Sequence, residues 1–423
     1  MMASTPLNTA AKEAAKNAVT FTAGRAAFQP RLTYDVSPNI PRSYFLGHHQ
    51  AGLSRMRHGL STIGLIIECR DFRVPITSWN PLLEQSLAAS NPAERSRIIV
   101  YTHRDLGPDD SPQPSGSFST TSSSATVARH LRNFHLRHGH AIEVLFTGTG
   151  PAYRSPTVAL LSVIKRVARE RDSLTGLRAL VVGMPNAGKS TLLNALRRHS
   201  GIGGGAVAKV AQTGANPGVT RRLSSPVRIV PSETPDDPSL RGVGEGVFVV
   251  DTPGVFVPYV SDPEKMLKLA LVGCVRDGIL PRETLADYLL YRLNLAAYVP
   301  PPGDGSSSSD GRIPAYVTRL GMDAPTNDVS EFLEAVARRL GKLTKGGQPG
   351  LFAAAEWAVQ EWRRGGLGKI FLDEVTPELL AKAMEEAKET TLSMNQARKR
   401  EKEARKAKKE AKRLGILDEG DEL

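Results

Sequence analysis

The chain has 423 residues, 40% apolar and 23% charged, the balance of an ordinary soluble protein with room for two domains. No apolar run approaches the roughly 20 residues of a membrane helix, which excludes a helix-spanned bilayer, and two cysteines, Cys69 and Cys274, exclude a disulfide framework or a four-cysteine zinc site. The net charge of +12 favours phosphate-rich partners, RNA above all.

At the N-terminus, residues 1–31 place Lys12, Lys16, Arg25 and Arg31 with a single acid, Glu13, among scattered Ser, Thr and Ala. That is the composition of an amphipathic mitochondrial transit peptide; a tail without an address is the plainer alternative. Short β-branched runs follow at 63–67, 98–101, 144–146, 180–182, 227–230 and 247–250, with helical patterns at 81–89 and 157–171 between them. Nearly continuous apolar runs predict strands buried on both faces. The fold class is therefore α/β, with a doubly wound, mostly parallel sheet over residues 40–262. Stretches near 107–126, 200–216 and 231–246 read as disordered insertions, and 300–312 as a loop. Beyond residue 263 the strands cease. Asp328 with Glu331 reads as a capping pair before a helix, 351–363 as another, and Thr376-Pro377 as the start of a third. Residues 263–380 are thus expected to form a small all-helical domain and 381–423 a basic helical tail. Within that tail Arg398 to Arg413 hold ten Lys/Arg against three Glu. The surplus suits contact with rRNA, whereas a solvated helix is the bland alternative.

Gly183-Met-Pro-Asn-Ala-Gly188-Lys189-Ser190 fits the phosphate loop G-x-x-x-x-G-K-[ST], with a predicted strand before it and a helical pattern after it. Glycines let backbone N–H groups turn inward, and the helix N-terminus adds positive potential. Pro185, Asn186, Ala187, Gly188, Lys189, Ser190 and Thr191 are the expected phosphate cradle. Lys189 would reach the β- and γ-phosphates and the Ser190 hydroxyl would ligate Mg²⁺. Asp251-Thr-Pro-Gly254 follows the last strand, where a carboxylate suits a second Mg²⁺ contact and Gly254 lets the backbone approach a γ-phosphate. Thr220, in Pro217-Gly-Val-Thr220-Arg, is a candidate switch threonine for Mg²⁺, or else an ordinary loop threonine.

Upstream, the strand 98–101 ends in Thr102-His103-Arg104-Asp105-Leu, and the strand 144–146 in Thr147-Gly148-Thr. Asp105 sits where the aspartate of an N-K-x-D segment reads guanine, and Thr147-Gly148 is similar to the short loop that contacts the guanine oxygen. Both precede the phosphate loop. Tyr44-Phe-Leu-Gly47-His48 is similar to an F-P-G-H segment. Glu68-Cys-Arg70-Asp71-Phe-Arg73-Val-Pro75, then Asn80-Pro81, resembles a D-A-R-x-P-x-S-x-N-P stretch, and Trp362-Arg363-Arg-Gly-Gly-Leu-Gly368 a closing helical motif. With this motif order, roughly residues 40–375 resemble the YlqF/RbgA family of circularly permuted GTPases, most closely its mitochondrial, ribosome-associated branch.

The resemblance implies a circularly permuted P-loop GTPase domain using GTP/GDP and Mg²⁺, with Asn186 as a possible K⁺ ligand. It implies work in the mitochondrial matrix on the maturing large ribosomal subunit, its rRNA and ribosomal proteins. Peripheral association with the inner membrane, without a transmembrane segment, is part of the same expectation. Thr102 and His103 replace the family's Asn and Lys; threonine keeps a shorter hydrogen-bonding group and an imidazole can stack on a base. No glutamine follows Gly254, and the resemblance implies that His48 orients the attacking water, although His49 leaves that register open. Two alternatives stand beside this one: an RNA-binding assembly chaperone that binds nucleotide with little turnover, and a P-loop ATPase or kinase preferring adenine.

Overall fold

The computed structural model describes residues 28–44, 47–88, 95–110, 123–172, 174–200, 202, 225–298, 313–344 and 346–388, with scattered positions from 395 to 403. The apolar runs become β1 (Leu65–Asp71), β2 (Ser96–Thr102), β3 (Glu143–Phe146), β4 (Leu177–Gly183), β5 (Val227–Val230) and β6 (Val247–Asp251). They form one sheet in the order β3-β2-β1-β4-β6-β5, parallel except for β5, which runs antiparallel to β6. Every strand expected from the sequence is present.

The described helices of the sheet region are α1 (Gly47–Gly59), α2 (Pro81–Ala88), α3 (Ser124–Arg137), α4 (Arg154–Arg171) and α5 (Lys189–His199). Because successive strand residues point to opposite faces, the sheet is covered twice. Leu65 and Ile67 of β1 pack with Leu160 and Ile164 of α4 and Leu193 of α5, whereas Ile66 meets Met56 of α1 and Leu83 of α2. On the same side as Ile66, Ile99 and Tyr101 pack with Val127 and Leu131 of α3.

Six helices follow: α6 (Pro263–Leu271), α7 (Arg282–Ala297), α8 (Ala315–Leu320), α9 (Val329–Leu340), α10 (Leu351–Arg363) and α11 (Pro377–Lys388). The core under α4 and α5 continues without a break into α6–α10. The Asp328 carboxylate caps α9 by accepting from Ser330 N at 2.7 Å. Its expected partner, Glu331, instead accepts from the Thr326 hydroxyl at 2.6 Å, so only one arm of the capping box forms.

Four expectations need correction. α11 does not close the helical domain; Leu380 and Ala387 are buried with Val127, Phe134 and Trp79 on the α2–α3 face of the sheet. Residues 231–246 are ordered, because Leu240 and Val243 sink into the main core and Gly246, at φ +89, admits no Cβ beside the carbonyls of Val230 and Pro231. The stretch 107–126 is structured at both ends: Gly107 packs on Phe72, and Ser123 caps α3 by accepting from Thr126 N. Finally, the end of the expected transit segment is packed. Arg31 pairs with Asp287 at 2.7 Å, and the Gln29 carbonyl accepts from Asn327 Nδ2 at 2.8 Å. The rest of that segment up to residue 27, most of 200–216, the loop 300–312 and most of the tail lie outside the described residues.

Candidate functional site

All of the expected nucleotide segments that are described lie at the carboxyl ends of β1, β2, β3, β4 and β6, the edge where open parallel sheets bind ligands. Gly183 ends β4 at φ +147, with the Cys69 carbonyl where a Cβ would be. Asn186 at φ +56 and Gly188 at φ +75 then turn the loop into α5, so the helix N-terminus points at the space the loop encloses. Pro185 and Ala187 are buried beneath the loop, while Thr191 is exposed in the first turn.

Lys189 is buried, and its ammonium donates to the Met184 carbonyl at 2.7 Å. Burial pulls its pKa below the usual lysine range, against the opposing pull of Asp251. Ser190 Oγ donates to Asp251 Oδ2 at 2.6 Å, and burial raises the Asp251 pKa although Lys189 and Ser190 work against it. A hydroxyl and a carboxylate oxygen side by side are oxygen donors of the kind a hard divalent cation takes. The residues present therefore fit Mg²⁺.

The Asp251–Gly254 segment is locked to the phosphate loop. Thr252 Oγ1 donates to the Val181 carbonyl at 2.7 Å and Val255 N to the Gly183 carbonyl at 3.2 Å. A Cβ on Gly254 would lie 2.5 Å from the Pro185 backbone, so only glycine permits this approach.

The base-side loops meet the phosphate loop through one residue. Thr102 Oγ1 lies 3.1 Å from both the Ala187 and Arg70 carbonyl oxygens. The Thr102 hydroxyl thus ties the loop that carries Asp105 to the 183–190 loop. Next to it His103 adopts the left-handed conformation, φ 57, with Nδ1 3.2 Å from Asp71 Oδ2. Burial alone would raise the Asp71 carboxyl, but Arg73 and His103 hold it far below the ordinary range. Arg104 N donates to the Thr147 carbonyl at 2.9 Å, which joins the two base-side loops. Asp105 Oδ2 accepts from Thr149 Oγ1 at 2.6 Å, while Oδ1 is buried without a hydrogen-bond partner. A Cβ on Gly148 would lie 2.5 Å from that Oδ1. A buried acceptor beside a glycine-bounded gap is suited to a ligand that presents N–H donors, as the guanine edge does.

Two expected residues are not placed. Thr220 lies outside the described residues, and so does the side chain of His48, whose backbone begins α1. Its neighbour His49 is buried, and Nδ1 lies 2.9 Å from the Gly254 carbonyl and 3.2 Å from Phe256 N. The doubled histidine was the only signal for this contact. The Asn186 Nδ2 donates to the Gly273 carbonyl at 2.7 Å, beyond the end of α6, so the amide nitrogen braces the loop. Asp71 and Gly273 were also missed as site residues; nothing local marks Gly273, 87 positions from Asn186.

The family described as 50S ribosome-binding GTPase matches residues 178–285, from β4 onward, so the base-side loops lie upstream of the match. Mitochondrial GTPase 1 of Schizosaccharomyces japonicus is 34% identical over 340 residues, covering 79% of this chain and 91% of the relative. Mitochondrial ribosome-associated GTPase 1 of Bos taurus is 30% identical over 345 residues, covering 78% and 88%. The crystal structure of GNP-bound YlqF from T. maritima aligns at 21% identity over 76% of this chain and 97% of that one, with a TM-score of 0.41. By its relatives' identity and span, the chain belongs to the mitochondrial GTPase 1 family.

Proposed function

We propose that this chain binds the maturing mitochondrial large ribosomal subunit and hydrolyses GTP to GDP and phosphate, with hydrolysis as the release step. The observation that carries the nucleotide half is the join at Thr102: the Asp105 loop and the phosphate loop share one hydroxyl, so base and phosphates are read by a single rigid edge. Asp105 accepts the guanine N–H groups, Thr147 and Gly148 line the base, and the 185–191 backbone with Lys189 receives the phosphates. To do so Lys189 exchanges the Met184 carbonyl for phosphate oxygens. Ser190 and Asp251, with Thr220, would hold Mg²⁺, which when bound would neutralise charge on the phosphates. His48 orients the attacking water, and the segment carrying it is tied to Gly254 through His49.

Ribosome association is carried over from relatives such as the Bos taurus protein, whose name states it. The surplus of positive charge and the basic tail are consistent with rRNA as the contacted surface. The matrix, with peripheral contact to the inner membrane, is the proposed location; among the described residues no helix is long and apolar enough to cross a membrane. A nucleotide-bound chaperone with little turnover is favoured by one observation. The position after Gly254 holds Val255, turned into the core, where it cannot orient water.

Hydrolysis of GTP and ATP, with and without purified large subunits and in KCl against NaCl, tests the reading. GTP-selective turnover that rises with the subunits is expected. Flat turnover with tight GTP binding would select the chaperone, and preference for ATP would overturn the role of Asp105.

A further inference from the structure

The phosphate loop touches the helical part of the molecule through a contact that no motif announces. Asn186 holds a positive φ in the middle of the loop, and its amide nitrogen reaches the Gly273 carbonyl at 2.7 Å. Gly273 lies just past α6 at φ +83, a conformation glycine adopts freely, and its N–H returns to the Ala270 carbonyl at 3.0 Å. What fixes this helix end is Arg363, the last residue of α10. Its Nε donates to the Leu271 carbonyl and its Nη2 to the Ala270 carbonyl, both at 2.8 Å. Asp277 holds the other edge of the guanidinium at 2.8 and 3.1 Å, and is itself held by Gln360 Nε2 at 3.0 Å. A planar fork with donors in fixed directions is the side chain that can bridge two carbonyls and a carboxylate at once; an ammonium cannot. Its charge also sits on the negative end of α6. The guanidinium comes so near that a Cβ on Gly273 would contact both Arg363 and Asn186, at 3.5 Å each.

We infer that Arg363 is a positioning residue for the phosphate loop: it sets the direction of the Gly273 carbonyl, which anchors the Asn186 amide and with it the loop's left-handed turn. The loop that cradles phosphates is then shaped in part from the helical domain, and binding affinity depends on a residue with no contact to the ligand. This rests on the proposed role of residues 183–190 in binding nucleotide.

The test is a double-mutant cycle in the full chain, with Asn186→Ala, Arg363→Ala and the double variant, reading GDP affinity by fluorescence of a labelled GDP alongside thermal melting. Each single variant is expected to weaken GDP by about five- to tenfold, the worth of one hydrogen bond. The double variant should be no weaker than the worse single, because both remove the same tie. Arg363→Lys should fall between wild type and Arg363→Ala, and it replaces the alanine variant in the cycle if that variant does not fold. Arg319→Ala, which breaks the surface pair with Glu361 on the same helix, should leave affinity unchanged. Additive losses, or wild-type affinity in a destabilised Arg363→Ala, would overturn the inference while leaving the nucleotide-binding reading intact. A wild-type chain that binds no guanine nucleotide would sink that reading itself.

Discussion

Replacing Gly148 by alanine isolates Asp105, the carboxylate proposed to read the base. The φ of Gly148 lies outside the left-handed range that favours glycine, so the added methyl acts chiefly through space. That methyl would stand 2.5 Å from Asp105 Oδ1 and 2.8 Å from the Tyr153 ring, closer than real contacts allow. The ring is the larger obstacle, and the carboxylate swings more easily. Swinging breaks its 2.6 Å bond from Thr149 and moves Oδ1 out of the place where a base would donate to it. A hydrogen bond to a charged acceptor is worth about 1.5–3 kcal/mol, so losing one weakens GDP by roughly 10- to 150-fold. Titration of GDP and IDP, which lacks the exocyclic amine, reads the effect: wild type should prefer GDP, and the variant should bind both weakly with little preference. Unchanged GDP affinity and preference in a folded Gly148→Ala protein would refute the placement of guanine against Asp105.

Thr102→Val leaves the Ala187 and Arg70 carbonyls facing a methyl, and should lower stability by about 1–2 kcal/mol in urea unfolding while raising the GDP dissociation rate. Gly254→Ala must displace Pro185 backbone, which no rotamer change relieves, so turnover should fall by well over tenfold while GDP affinity, measured by titration, changes less. Glu84 gives a pH signature. Burial would raise its carboxyl, but Arg97 and Arg70 bring it down to about 2, below the roughly 4.3 of an unfolded glutamate. Its stabilisation is therefore complete above pH ~4.3 and lost as pH falls toward 2. Glu84→Gln should flatten the fall in melting temperature on acidification from about pH 5 to pH 3, and lower that temperature at neutral pH.

The sheet was legible because burial on both faces writes itself as short runs of Ile, Val and Leu, as at 98–100 of β2, although in β1, where all seven residues are buried, the run stops after Leu65, Ile66 and Ile67. The candidate site was legible where chemistry restricts residue type: the glycines of 183–190, Asp251 at a strand end, Asp105 after a strand, segments that the fold brings to one edge of the sheet. Helix α7 carries no such mark, being buried on several sides so that no amphipathic period betrays it; α6 does carry one, in the Asp262 cap and Pro263 at its start. The strap 231–246 reads as polar filler because only Leu240 and Val243 anchor it, too few to shift a composition. Contacts between distant segments, such as Thr77 with Asp373 at 2.6 Å, depend on packing that a single sequence does not encode locally.

The order of the segments has a mechanical consequence. In this chain the strand that ends at Asp251 runs on through Gly254 into α6, while the phosphate loop meets the far end of the same helix at Gly273. One helix is thus held covalently by the segment proposed to face the γ-phosphate and by a hydrogen bond to the loop proposed to cradle the phosphates. Between those ends, Lys265 reaches Glu386 of α11 at 2.8 Å and Lys268 reaches Asp373 at 3.5 Å. Asp373 in turn accepts from Ile76 N and Thr77 N, in the segment after β1. A ligand biases a two-state element only through contacts that differ between the states. In the proposed cycle, loss of the γ-phosphate releases the Gly254 end of α6 while the Gly273 end stays tied to the loop that still holds GDP. The helix then pivots instead of detaching, and the charges along it are the contacts through which α11 and the basic tail beyond it would register the change.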